Sequence, residues 1–143
     1  MIKVGIIGGD GYTAGELIRL LIHHSKVELD FVYSTSNAGN YIYEVHQDLL
    51  GALDLKFTDK VNTNVNVLFL CLGHGNSTAF LENNTFSDKT KIIDLSNDFR
   101  LQKDEVFGGK TFVYGLPELQ KEKIKSQLIL QLVNTLKAII LQV

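Results

Sequence analysis

The residues best placed to do chemistry stand near the start of the chain. There Gly8-Gly9-Asp10-Gly11-Tyr12-Thr13-Ala14-Gly15-Glu16-Leu17 follows the apolar run Val4 to Ile7. In physical terms this is a buried strand, a tight glycine turn, and a helix opening at Thr13 or Ala14. Gly9, Gly11 and Ala14 fill the G-x-G-x-x-A spacing of dinucleotide-binding folds. One glycine makes the turn, one lets a pyrophosphate approach the backbone, and the small third residue lets helix pack on strand. The helix start then offers free N–H groups and a positive dipole end to an anion. A plain structural turn could carry the same glycines. The strand before, the amphipathic helix after and the position at the chain start favour the nucleotide.

Other candidates follow the later apolar runs. In folds that take NAD, an acidic residue about 20 positions past the glycines holds the ribose 2′-hydroxyl. Here the second apolar run ends in Ser34-Thr35-Ser36, while Glu28 and Asp30 lie inside it. Hydroxyls and turn N–H groups can donate to a 2′-phosphate that a carboxylate at that tip would repel, so the turn favours NADP over NAD. The alternative is a hydroxyl-rich turn that only caps its own backbone. Cys71, near the end of an apolar strand, reads as a core residue. His74, just past Gly73, leaves a reactive Cys–His pair as the other reading. His74 itself, between two glycines at a strand tip, is either a donor to a cofactor or a solvated loop residue. Arg100 follows Ser96-Asn97-Asp98-Phe99, and either recognises a carboxylate or phosphate or pairs with Asp98 or Asp94. No histidine pair has metal-ligand spacing with a third ligand nearby, so no metal is expected.

The elements that must position these residues alternate along the chain. Strands are expected at 2–7, 27–33, 55–57, 66–72, 91–95 and 111–114. Helices are expected after the glycine turn, over 41–50, over 77–84 (capped by Asn76 or Ser77), and from Pro117. That order predicts an α/β fold, a doubly wound, Rossmann-type, mostly parallel sheet in a single domain. Its ligand crevice lies outside the carboxyl ends of the strands. The turns at 8–14, 34–39, 73–77 and 96–100 then share one rim. A chain of 143 residues, 45% hydrophobic and 21% charged, has room for one such domain. Its formal charge of -2 predicts no nucleic-acid partner, and no apolar run is long enough for a membrane span. One cysteine excludes an internal disulfide, and no signal peptide is read at the N-terminus, so a cytoplasmic protein is expected.

Taken together, four segments resemble the N-acetyl-gamma-glutamyl-phosphate reductases of arginine biosynthesis, and more distantly the aspartate-semialdehyde dehydrogenases. They are Gly8 to Leu17, Gly73-His74-Gly75-Asn76-Ser77, Asp94-Leu-Ser-Asn-Asp-Phe-Arg-Leu101 and Tyr114-Gly-Leu-Pro-Glu-Leu119. The resemblance covers residues 1 to 125. It implies a two-domain NADP-dependent enzyme in which a cysteine thiolate attacks an acyl phosphate. A hydride from the nicotinamide then gives the semialdehyde, with phosphate released. It also implies that Gly8, Gly11, Tyr12, Thr13 and Ala14 hold the pyrophosphate, with Gly9 and Asp10 in the same turn. Ser34 and Ser36 face the adenosine phosphate. Leu72, Gly73, His74 and Ser77 line the crevice toward the nicotinamide, and Arg100 meets the charged end of an N-acyl-glutamyl phosphate.

The chain also departs from that family. There, an Asn-Pro-Gly-Cys segment bearing the nucleophile soon follows Tyr-Gly-Leu-Pro-Glu-Leu, and then a substrate domain. Here residues 128–143 are an apolar stretch without either. Its spacing predicts an amphipathic helix over 127–143, behind a cofactor domain at 1–126, covering sheet surface or pairing with a second chain to make a homo-oligomer. A truncated reductase, by a changed reading frame or an engineered tail, accounts for this ending better than a natural short protein. The expectation is therefore a chain that binds NADPH without turnover and holds no catalytic residue. The alternative is a non-catalytic nucleotide-binding or assembly module.

Overall fold

A computed structural model describes residues 1–96, 98–99, 106–115 and 129–132; Lys110, Tyr114, Gly115 and 129–132 are described by their backbone alone. The apolar runs become strands β1 (Ile2–Ile7), β2 (Val27–Tyr33), β3 (Val67–Leu70) and β4 (Lys91–Asp94). Two short strands, β5 (Val106–Phe107) and β6 (Lys110–Thr111), pair antiparallel across Gly108 and Gly109, both at positive φ. With β7 (Val113–Gly115) and β8 (Ile129–Leu132) the main sheet has six strands in the order β2-β1-β3-β4-β8-β7, and every pairing in it is parallel.

Alternation along each strand sorts the core into two layers. Val4 and Ile6 of β1, Val32 of β2, Val67 and Phe69 of β3 and Ile93 of β4 share one face. There they pack with Ala14, Leu17, Ile18 and Leu21 of helix α1 (Tyr12–Leu21). Ile7, Phe31, Leu68 and Leu70 face the other way, with Leu81 and Phe80 of helix α3 (Asn76–Asn83). Helices on both faces of a parallel sheet are the doubly wound α/β fold expected. Gly5 in β1 makes room for a neighbour: a Cβ there would sit 2.3 Å from the Phe31 ring.

Several expectations change in detail. The helix expected over 41–50 is one turn, α2 (Ile42–Val45), followed by a 3₁₀ turn at Gln47–Leu49. The strand expected at 55–57 makes only isolated bridges, Tyr41 to Lys56 and Tyr33 to Thr58. The strand expected at 111–114 is split between β6 and β7. Between them Phe112 is buried, its ring stacked on Phe99 at 3.9 Å. The largest correction is at the C-terminal end. Ile129–Leu132 is not helical but forms β8, inserted between β4 and β7. A short, mostly apolar run fits a strand as well as it fits a helix stripe, and periodicity cannot tell them apart. The helical surface expected to pair with a second chain is therefore absent over those residues. The helix expected from Pro117, and residues 133–143, lie outside the described residues.

Candidate functional site

The strand order reverses beside β1: the chain goes out to β2, then returns to β3 on the other flank. The carboxyl ends of β1 and β3 thus flank the crevice at the switch point. The turn leaving β1 starts at Gly8 with φ +77, and a Cβ there would lie 2.7 Å from the Cys71 carbonyl oxygen after β3. No L side chain fits that position. The Gly8 and Gly9 N–H groups both donate to the Tyr33 carbonyl at the end of β2, at 3.1 and 2.9 Å. Gly9 presses against β2 so closely that a Cβ would meet Val32 Cγ1 at 2.1 Å. These glycines seat the turn on the sheet. Gly11, by contrast, has open space above it, with nothing but the Gly8 carbonyl oxygen within 4 Å of a built Cβ.

His46 fixes the turn from below. It is buried, and its Nε2 lies 2.8 Å from the Gly9 carbonyl oxygen, which can only accept, so Nε2 carries the proton. The same ring occupies the space beside Gly15, where a Cβ would sit 2.7 Å from Nδ1.

Gly11 is the N-cap of α1 in extended conformation, with no side-chain cap and no acidic residue in the first turn. The first main-chain bond of the helix is from Gly15 N–H to the Gly11 carbonyl. The N–H groups of Tyr12, Thr13 and Ala14 therefore have no acceptor among the described residues. Helix α3 is the opposite case. Gly75, at φ +87, is its N-cap, and the expected cap by Asn76 or Ser77 is not made. Instead the Asp98 carboxylate takes the Gly75 N–H at 2.6 Å and the Thr78 N–H at 3.2 Å. Partial burial raises the Asp98 carboxyl, but bonds from the Gly75 and Thr78 N–H groups and from Ser96 outweigh it and hold it low. One helix start is closed by a carboxylate, and the other is open to an anion.

At the tip of β2 the side chains of Ser34, Ser36 and Asn37 converge on one oxygen. Asp10 Oδ2 accepts from Ser34 Oγ at 3.0 Å, Ser36 Oγ at 2.8 Å and Asn37 Nδ2 at 3.0 Å. The Asn37 N–H donates to Ser34 Oγ at 3.2 Å. Partial burial pushes the Asp10 carboxyl up, but hydrogen bonds from Ser36, Ser34 and Asn37 more than offset it and leave it below the usual range. Behind the crevice, Asp94 at the end of β4 is fully buried. Ser77 and Ser96 hydroxyls donate to its two oxygens, each at 2.7 Å. Burial raises the Asp94 carboxyl despite those bonds.

The family model described as "Semialdehyde dehydrogenase, NAD binding domain" matches residues 3–127. The chain belongs to this family. Among curated relatives, the N-acetyl-gamma-glutamyl-phosphate reductase of Flavobacterium johnsoniae is 63% identical over 125 residues, and that of Christiangramia forsetii 58% over 126. The matches take in 87% and 88% of this chain but 38% of each relative, so the chain spans well under half their length. Two solved structures share the fold. Aspartate semialdehyde dehydrogenase from Candida albicans, determined with NADP, has a TM-score of 0.66 at 15% identity, covering 96% of this chain and 44% of that one. Aspartate semialdehyde dehydrogenase II from Vibrio cholerae has 0.65 at 17%, covering 92% and 37%.

Within this semialdehyde dehydrogenase NAD-binding domain, the expected site residues fall into three groups. Gly8, Gly9, Asp10, Gly11, Tyr12, Thr13 and Ala14 form the turn and the open helix start, and Ser34 and Ser36 stand beside them through Asp10. Leu72, Gly73 and His74 follow β3 on the same rim, and His74 is exposed. Ser77 differs from expectation: its hydroxyl is fully buried on Asp94 and Ser96, so it braces the rim rather than lining it. Cys71 packs into the α1 face of the core, where burial, with Asp94 nearby, pushes its thiol far up. Arg100 lies outside the described residues. Sequence reasoning missed His46, Asn37 and the capping role of Asp98. A histidine far along the chain carries no local sign of the turn it supports, whereas Asp98 is a carboxylate in the next turn to which the sequence offers only an alternative pairing with Arg100. Among the described residues no helix is long and apolar enough to cross a membrane.

Proposed function

We propose that this chain binds NADP(H) and is the cofactor-binding part of an N-acetyl-gamma-glutamyl-phosphate reductase, which reduces an N-acyl-glutamyl phosphate to the semialdehyde and releases phosphate. The observation that carries the reading is the uncapped start of α1 at the switch point, beneath a glycine turn whose own first N–H groups are already satisfied. A pyrophosphate there would take the free N–H groups of Tyr12, Thr13 and Ala14. Open space over Gly11 admits it. The donors of Ser34, Ser36 and Asn37, which meet at Asp10, would serve an adenosine 2′-phosphate on turning from that carboxylate, and the C. albicans neighbour was solved with NADP.

When bound, the cofactor supplies the hydride; the chain's own part is to hold and orient it. Catalysis through a cysteine thiolate has no support in this chain. Its one cysteine is Cys71, and its partly buried place beside Asp94 pushes that thiol up, away from the thiolate. The test is titration by nicotinamide fluorescence, then addition of an N-acyl-glutamyl phosphate. Saturable NADPH binding, tighter than NADH and without oxidation on adding substrate, is the expected result. Binding of NADH as tight as NADPH, or turnover that Cys71→Ser removes, would overturn the respective half of the reading.

A further inference from the structure

We infer that Asp10 narrows the cofactor preference of this site, its carboxylate standing in the donor set that a 2′-phosphate would take and competing with it. The inference rests on the dinucleotide reading above. Three donors from the β2 tip meet at a single Asp10 oxygen, Oδ2, within 2.8–3.0 Å. Three donors on one anionic oxygen is an arrangement that a phosphate oxygen also satisfies. Asp10 belongs to the glycine turn, so its side chain spans from the pyrophosphate position to the β2 tip, where the adenosine ribose belongs. The donors are all neutral, and residues 34–41 contain no lysine or arginine to offset a second anion. A 2′-phosphate must therefore take these donors from Asp10 against its charge. A ribose 2′-hydroxyl instead can donate to Oδ1, which receives no side-chain hydrogen bond among the described residues. Asp10 thus narrows the preference for NADPH by favouring NADH and opposing the phosphate.

The experiment is a paired titration of NADPH and NADH into the 143-residue chain and its Asp10→Ala and Asp10→Asn variants. Asn keeps an acceptor for the hydroxyls, so it holds the turn if Ala does not fold. Removing one charge beside a phosphate is expected to raise the NADPH-to-NADH affinity ratio roughly tenfold, through tighter NADPH and weaker NADH. An affinity ratio that stays within about twofold of the parent, with both nucleotides still binding, would overturn the inference alone and make Asp10 a mere brace of the turn. If neither nucleotide saturates the parent or either variant, the dinucleotide reading falls, and this inference with it.

Discussion

At Gly8 a single hydrogen in place of a side chain decides whether the turn can exist. Its φ of +77 lies in the left-handed region, and a Cβ would sit 2.7 Å from a backbone oxygen that cannot move aside without disturbing β3. Gly8→Ala is therefore expected to destabilise the fold by roughly 2 kcal/mol or more, read as a lower urea midpoint with unchanged slope. An unchanged midpoint would contradict the close approach. Backbone demands of this kind are legible in a sequence, because only glycine meets them and it leaves its letter behind. Contacts between distant side chains leave no such mark. Nothing near Asp10 tells that it reaches Ser34, Ser36 and Asn37, and nothing near His46 tells that it holds the Gly9 carbonyl. The residues of β2 predict a tip with hydroxyls and no carboxylate, whereas Asp10 brings one there from the glycine turn.

At the scale of elements, β1 and β2 run where their apolar residues predict, β1 buried from Val4 to Ile7 and β2 at Val27, Phe31 and Val32, and both end at turn residues. The start of α3 differs from expectation because local capping rules favour Asn76 or Ser77, while the structure supplies the acceptor from the next turn as Asp98. Asp98→Ala should cost about 1–2 kcal/mol at neutral pH. The Asp98 carboxyl is held below its ordinary value, so its contribution is present above that value and lost as pH falls through the lowered one. The difference between parent and variant, measured by unfolding at several pH values, should thus be full at neutral pH and vanish at strongly acid pH. A difference that does not shrink in acid would contradict a charge-assisted cap. Asp94 works in the other direction, its raised carboxyl favouring the fold at low pH and losing that contribution as pH rises. Comparing the two proteins cancels the part that burial causes, while the part raised by the Asp98 charge goes with the substitution. The end of the chain was the element least legible, because the run at 128–133 satisfies a strand and a helix stripe equally. The place between β4 and β7 that decides for β8 is a property of the whole sheet.

For the whole molecule, a parallel sheet that winds out to β2 and back to β3 brings turns from distant parts of the chain to one rim. The alternation of strands and helices made that convergence legible from sequence, but not which helix start stays open. The structure separates them: Asp98 closes α3, and α1 remains free. In the proposed function the N–H groups of Tyr12, Thr13 and Ala14 are the anion site and the β2 tip is its neighbour. The direct test is to follow backbone amide resonances of the isotope-labelled chain by NMR while NADPH is added. The largest saturable shifts are expected at Gly11 to Ala14, with a second group at Ser34 to Asn37. Saturable binding that leaves the amides of Gly11 to Ala14 unmoved would contradict the account.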